Sequence, residues 1–425
     1  MKIEELYKIF LEQNQQICTD TRKIEKGAIY FALKGGNFDA NSFATSAIEG
    51  GCAYAVVDNP AIKNEKCIVV EDALKTLQDL ANFHRKQFTI PVIGITGTNG
   101  KTTTKELVKA VLSTQLKVHY TKGNLNNHIG VPLTLLSMSK DTEIAIIEMG
   151  ANHPLEIEFL CTIAEPNYGM VTNMGKAHLE GFGGFEGVIK TKSEMYDFAS
   201  SHNGKVFVNA ADELLMKQSA RVKQRILYQN AGFYGDVRAV SPYVTAMLHI
   251  GKEETEIATK LFGEHNLINM VAAAAVGKEF CISTANIKKA LQEYQPDNNR
   301  SQIKKSARGN TLILDAYNAN PTSMTMALTA FSKIDSKNKI AIVGDMLELG
   351  SASEAEHKNI VRLLELNNIT AFLVGPEFAK CHGDFKSFEN STDLKNFLAL
   401  QNISNTSVLI KGSRGIKLEV VEEVL

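Results

Sequence analysis

The densest chemistry lies in Gly94-Ile95-Thr96-Gly97-Thr98-Asn99-Gly100-Lys101-Thr102-Thr103-Thr104. Two glycines let a backbone approach an anion closely. A helix starting at the lysine would aim its free N–H groups and its dipole at that anion. Lys101 is long enough to reach outer phosphates, and the Thr102 hydroxyl suits Mg²⁺. The strict phosphate-loop pattern asks for glycine at position 95, where this chain has Ile95, but its Gly-Lys-Thr-Thr end is intact. Glu148 ends the apolar run Ile144-Ala145-Ile146-Ile147. A carboxylate at a strand's carboxyl end, beside a phosphate loop, is placed for the same cation, with a structural ion pair as the alternative. His178 follows a predicted strand and precedes a glycine-rich turn, so it can ligate a metal, although a lone histidine is more often structural.

Four further groups carry weaker signals. Lys190 and Lys192 fall on a predicted helix, and an ammonium has no lone pair for a metal; only a lysine that had added CO₂ would act as a carboxylate. The amide-rich run 123–130, with Asn126 and Asn127, is too polar for a core and suits a loop facing a ligand. Lys411 and Arg414 put two cations at one strand end, a plausible carboxylate clamp. Asn266 and Asn269 lie three apart on the first turn of an Ala-rich helix, to receive a nucleotide base or to cap the helix. In the first 88 residues, Thr21 and Arg22 and the turn Lys34-Gly35-Gly36 offer donors and a cation, though a capped turn and a solvated loop are the commoner meaning.

Hydrophobic patterning shows which elements must position these groups. An apolar run over 90–95 leads into the glycine-rich turn as a strand. An amphipathic helix over 105–116 leads out, with Leu107, Val108, Val111 and Leu112 on one stripe. Residues 1–88 read as one α/β unit, with strands over 28–33, 54–58 and 67–70 and a helix over 72–83. Residues 89–296 form the largest unit, with strands over 143–150, 168–172 and 205–209 and helices over 185–199 and from 266 to 276. The run at 143–150 fits a strand buried on both faces of a parallel sheet. Residues 297–425 form a third α/β unit with strands over 311–314, 340–343, 371–374 and 408–410. The polar turns after those strands, among them Asp315-Ala316-Tyr317-Asn318, would share one sheet edge, where sites form.

The totals exclude several classes. The chain has 425 residues, too many for one core, and a formal net charge of −1, so bulk charge implies no nucleic acid. Its six scattered cysteines form no C-x-x-C, which favours reduced, mostly buried thiols and a cytoplasmic protein. The charged N-terminus reads as no signal peptide, and no apolar run approaches the roughly 20 residues of a membrane span.

Taken together, these stretches resemble the Mur ligases of peptidoglycan synthesis over essentially the whole chain. Shared marks are Thr96-Gly97-Thr98-Asn99-Gly100-Lys101-Thr102-Thr103, the strand end at Glu148, residues 173–180 around His178, and His265-Asn266-Leu267-Ile268-Asn269. The runs 123–132, 315–321, 344–350 and 411–414 resemble the branch that adds D-alanyl-D-alanine to UDP-N-acetylmuramoyl-tripeptide. The Asp-Asn-Pro-Arg motif of the lysine- or diaminopimelate-adding branch is absent. Ile95 is ordinary for this family.

The resemblance implies three α/β domains: a uridine-nucleotide domain (1–88), a central ATP-binding domain with a mostly parallel sheet (89–296), and a Rossmann-like domain for D-Ala-D-Ala (297–425). It implies that Gly97, Thr98, Asn99, Gly100, Lys101, Thr102 and Thr103 hold the ATP phosphates. Thr102 or Thr103 with Glu148 would hold one Mg²⁺, and His178 with a carbamylated Lys192 a second. Asn266 and Asn269 would lie near adenine, Arg300 at the γ-phosphate and Asp315 at the ribose. Thr21, Arg22, Lys34 and Gly35 would hold the uridine nucleotide. Asn126 and Asn127 would face the muramoyl tripeptide, and Asn318, Lys411 and Arg414 the dipeptide. The implied protein is a monomer with no membrane insertion. Two other readings share the phosphate loop: a folylpolyglutamate synthase, and a nucleotide-driven switch that needs no peptide acceptor.

Overall fold

The computed structural model describes residues 1–36, 38–297 and 299–425. The first unit has a four-stranded parallel sheet in the order Ile17–Cys18, Ile29–Phe31, Tyr54–Val57, Cys67–Val69. A small hairpin, Lys34–Gly35 with Phe38–Asp39, stands beside it. The central sheet has six parallel strands, ordered Gln224–Tyr228, Lys205–Asn209, Tyr168–Val171, Val92–Thr96, Ile144–Glu148, Val118–Tyr120. The chain leaves Val92–Thr96 toward Val118–Tyr120 at one edge and later returns to its other side at Tyr168–Val171. The glycine-rich turn thus sits where the winding reverses, the place in open α/β sheets where ligands bind.

The third unit has six strands, ordered Gln302–Lys305, Thr311–Leu314, Ser407–Lys411, Lys339–Gly344, Thr370–Val374, Lys386–Phe388. Only the first pair is antiparallel. The predicted α/β class is therefore observed, with small end differences: the helix expected over 105–116 is Lys101–Leu112, since Gly100 already stands at its N-cap. The antiparallel sheet Phe233–Ala239, Thr245–Ile250, Glu253–Ala258 was not expected. Its last strand, Glu-Glu-Thr-Glu-Ile-Ala, is mostly exposed and carries little apolar signal.

Burial explains how the units hold together. The helix Ala73–Arg85 is capped by Asp72, whose carboxylate accepts from the Lys75 N–H at 2.8 Å. One apolar cluster runs from Leu6, Phe31 and Leu77 into Val131, Leu135 and Ile157, so the first and central units share a core. Three polar side chains of that helix face the same junction and are satisfied there. Gln78 donates to the His128 carbonyl at 3.0 Å. Arg85 donates to the carbonyls of Ala164 (3.0 Å), Phe88 (2.9 Å) and Glu165 (3.2 Å). His84 contacts the Met138 carbonyl at 3.2 Å and the Tyr7 hydroxyl at 3.0 Å. Burial holds its pKa down, so the ring is neutral, donating from Nε2 and accepting at Nδ1. The third unit has two clusters, one on each face of its sheet, and the first of them also takes in Phe262 of the central unit.

All six cysteines are free thiols, with Cys18, Cys52 and Cys161 buried and Cys281 exposed, so burial covers only half of them. Among the described residues no helix is long and apolar enough to cross a membrane. Arg85→Met would leave one buried and two part-buried carbonyls short of a donor. It should cost about 2–3 kcal/mol, read as a lower urea midpoint in which the first and central units melt together.

Candidate functional site

The strand Val92–Thr96 is buried at every residue and delivers the chain to the glycine turn. Gly97 has φ 137° and Gly100 φ 78°, where a side chain is strained. A Cβ on Gly97 would lie 2.1 Å from the Thr172 hydroxyl, and one on Gly100 would lie 2.8 Å from Asn269 Oδ1. Neighbouring strand ends brace the turn: the Thr98 N–H donates to the Asn173 carbonyl (3.0 Å) and the Thr172 hydroxyl to the Asn99 carbonyl (2.6 Å). Lys101 folds back onto its own loop, donating to the carbonyls of Gly97 (2.6 Å) and Thr98 (2.8 Å). Its depth in the cleft pulls its amine down to about 8.

Glu148 is buried one strand away. Its Oε1 accepts from the Thr102 hydroxyl (3.1 Å) and the Asn126 amide (2.9 Å). Its Oε2 has no hydrogen-bonding partner, and Lys105 Nζ lies 3.4 Å from it. A buried carboxylate oxygen lacking a donor, beside a threonine hydroxyl at a phosphate loop, is a hard-oxygen donor set that fits Mg²⁺. The sequence reading missed Lys105. It lies on the same helical stripe as Val108 and Leu112, and a lysine on a buried stripe needs a carboxylate nearby.

His178 caps the short helix Leu179–Phe182 in a left-handed conformation, φ 49°. Its Nδ1 is hydrogen-bonded to Glu348 of the third unit, and burial lowers its pKa. Lys192 is buried and Lys190 exposed, so of the two candidates only Lys192 faces inward. Its amine lies 3.5 Å from the Ala151 carbonyl and 5.3 Å from the Phe182 ring centre, and burial pushes its pKa down to about 7. Among the described residues no three His, Cys, Asp or Glu side chains gather as a ready metal cage.

Several expectations need correction. Asn266 spends its amide on the Phe262 carbonyl (2.7 Å), and its oxygen accepts from Asn269 (2.9 Å). Asn269 accepts in turn from the Thr104 hydroxyl (3.0 Å). The pair therefore braces the helix Asn266–Glu279 against the helix Lys101–Leu112, and both asparagines, with Ile268 between them, also line the cavity. Asn126 is held by Glu148, and the Asn127 oxygen accepts from the Gly130 N–H (2.9 Å), while both residues line the main cavity. Lys411 is buried and paired with Asp315 at 2.6 Å, so it is no free clamp for a carboxylate. Arg22 is bound to Asp20 and Lys34 to Asp58 (2.9 Å), and neither they nor Thr21 and Gly35 line the main cavity.

That cavity, of about 720 Å³, opens between the phosphate loop and the third unit. Lys101, Glu148 and His178 line it from one side; Arg300, Asp315 and Tyr317 line it from the other. Arg300 stacks on Tyr317 at 3.8 Å, and exposed Arg414 stands 5.7 Å from that ring's centre. Asp315 accepts from the Ser301 N–H at 3.2 Å, and Asn318 bonds back to the Ala319 N–H at 2.9 Å. Asn320 donates to Asn99 at 2.8 Å, joining the third unit to the phosphate loop. Tyr317 and Glu348 were not singled out from sequence, because nothing in an isolated turn shows what it will face.

Residues 95–277 match the Mur ligase middle domain, and residues 299–414 match the Mur ligase, glutamate ligase domain. The chain is 36% identical to the UDP-N-acetylmuramoyl-tripeptide–D-alanyl-D-alanine ligase of Bacillus subtilis, over 95% of this chain and 92% of that one. It is similar to a crystal structure of MurF from Acinetobacter baumannii, with TM-score 0.88, 32% identity, and 96% and 93% of the two chains covered. It also shares the fold of a Thermotoga maritima MurF ligase in complex with ADP, with TM-score 0.87, 24% identity and 97% of each chain covered.

The state of Lys101 gives a prediction. A phosphate beside the amine would raise its pKa from about 8, so nucleotide binding at higher pH must take up a proton. ADP affinity should fall above pH 8, by up to about tenfold per pH unit. Calorimetry in two buffers of unlike ionisation enthalpy would show the proton uptake.

Proposed function

The chain belongs to the Mur ligase family, and on that premise we propose that it joins D-alanyl-D-alanine to UDP-N-acetylmuramoyl-tripeptide, cleaving ATP to ADP and phosphate. The observation that carries this reading is the cavity in which Lys101 and Arg300 converge from two units, with Glu148 beneath them. A carboxylate does not condense with an amine in neutral water. ATP activates the tripeptide carboxylate as an acyl phosphate, the dipeptide amine attacks that carbon, and phosphate leaves from a tetrahedral intermediate. Carboxylate, γ-phosphate and developing oxyanion must then share one small space. Two cations from opposite walls offset that repulsion.

In this reading residues 97–103 hold the phosphates, and Lys101 exchanges its loop carbonyls for phosphate oxygens. Arg300, held flat by Tyr317, meets the γ-phosphate, and Asp315 meets the ribose. Mg²⁺ would supply charge neutralisation between the phosphates, held by Thr102, Thr103 and Glu148, with His178 and Lys192 serving a second ion. Thr21, Arg22, Lys34 and Gly35 would meet the uridine nucleotide. Arg414 is the candidate for the dipeptide carboxylate, with Asn318 nearby. The domains are taken as 1–88, 89–296 and 297–425, in a monomeric, cytoplasmic enzyme.

The Lys192 amine suits carbamate formation. A neutral Nζ lone pair adds to the carbon of CO₂, a proton leaves to water, and a carboxylate on a long arm results. A pKa near 7 makes the neutral amine available at physiological pH.

Two assays test these points. ADP release with UDP-N-acetylmuramoyl-tripeptide should depend on added D-Ala-D-Ala; equal release without acceptor would favour a nucleotide-driven switch and sink the ligase reading. Lys192→Ala should lose roughly two orders of magnitude in turnover, the scale of several kcal/mol of charge stabilisation. Short carboxylic acids should restore part of it. Unmodified lysine by intact mass, together with no rescue, would count against the carbamate.

A further inference from the structure

We propose that Glu348 is a positioning residue for His178, and that it ties the orientation of that imidazole to docking of the third unit. The inference rests on the ligase reading only in that His178 faces the reacting phosphates.

The bond itself crosses the unit boundary: His178 Nδ1 donates to Glu348 Oε2. In a neutral ring this leaves the lone pair on Nε2, and that nitrogen makes no hydrogen bond among the described residues. A ligand histidine is ordinarily fixed in this way, with its second nitrogen held by a carboxylate. Here the holding group comes from another unit, so an undocked third unit would free the ring to turn and to exchange tautomers.

The loop that presents Glu348 is built for it. Asp345, fully buried, accepts from the N–H groups of Glu377 (2.8 Å) and Phe378 (2.9 Å). His357, also fully buried, accepts from the Met346 N–H (3.1 Å) and donates to the Ser353 carbonyl (2.7 Å). The Ser413 hydroxyl accepts from the Leu347 N–H at 3.0 Å. Three successive residues are thereby pinned, and Glu348 follows in a left-handed conformation, φ 63°, which a non-glycine residue rarely adopts without support. Two contacts flank it across the same boundary. Lys176 meets Glu356 at 2.7 Å, and Gly350 lies so close to Glu180 that a Cβ there would sit 3.3 Å from Glu180 Cβ. The Glu348 side chain is 57% exposed, where an ion pair contributes little to stability. Stability therefore does not account for the strained presentation, whereas aiming the ring does.

The experiment uses ¹⁵N-histidine-labelled full-length enzyme with ADP and the uridine substrate bound, and His178 assigned through His178→Asn. Wild type should show His178 protonated at Nδ1. Glu348→Asp keeps the charge, tolerates a left-handed backbone and draws the carboxylate back by one carbon. It should mix the two tautomers and lower kcat by about tenfold or more, with KM for ATP within about twofold because no phosphate contact is removed. Glu348→Gln, whose amide oxygen still accepts, should restore the single tautomer and most of kcat. An unchanged tautomer and kcat in Glu348→Asp would overturn the proposal, as would equal losses in the Asp and Gln variants. Should wild type itself show no acceptor-dependent ADP release, the ligase reading falls while the tautomer measurement still judges Glu348.

Discussion

A carboxylate buried at the end of a strand is the constraint on which the rest of the structure turns. Glu148 cannot sit in a protein interior as a bare charge. Its surroundings are therefore recruited: the Thr102 hydroxyl from the phosphate-loop helix, the Asn126 amide from the polar loop and the Lys105 amine from one turn further along. These contacts fix the helix and the loop relative to the central sheet before any ligand arrives. One carboxylate oxygen remains without a hydrogen-bond donor, 3.4 Å from the Lys105 amine.

The two junctions of the molecule differ in kind. The first and central units are joined by continuous apolar packing, which has no intermediate state between closed and broken. The central and third units meet mostly through polar contacts, Asn99 with Asn320, His178 with Glu348 and Lys176 with Glu356, with Phe262 as an apolar anchor in the third unit's core. Hydrogen bonds of this kind exchange with water at small net cost. Under the proposed reaction, that asymmetry would let the cleft admit a nucleotide and a peptide before Arg300 closes onto them.

Much of this was legible in the sequence, and what was not has physical causes. The phosphate loop could be read because glycine, lysine and threonine at fixed spacing have one economical explanation. The parallel strands could be read because burial on both faces leaves unbroken apolar runs. The sheet at 233–258 could not, since its outer strand is mostly solvated. Lys411 misled because a cation near a strand end looks available until the partner in its interior is known, here Asp315. For Asn266 and Asn269 the sequence offered two roles, a base contact or a helix brace, and the structure places them on the cavity wall while also using them as struts. Glu348 was hidden because its meaning lies in a residue 170 positions away.

The helix Ala73–Arg85 carries one last consequence. It packs within the single core that the first and central units share, against the elements that carry Val131, Leu135 and Ile157. A chain started at the phosphate-loop strand would present them to water as an adhesive face. Residues 95–277 match a family domain of their own, yet that stretch alone would leave this face unroofed.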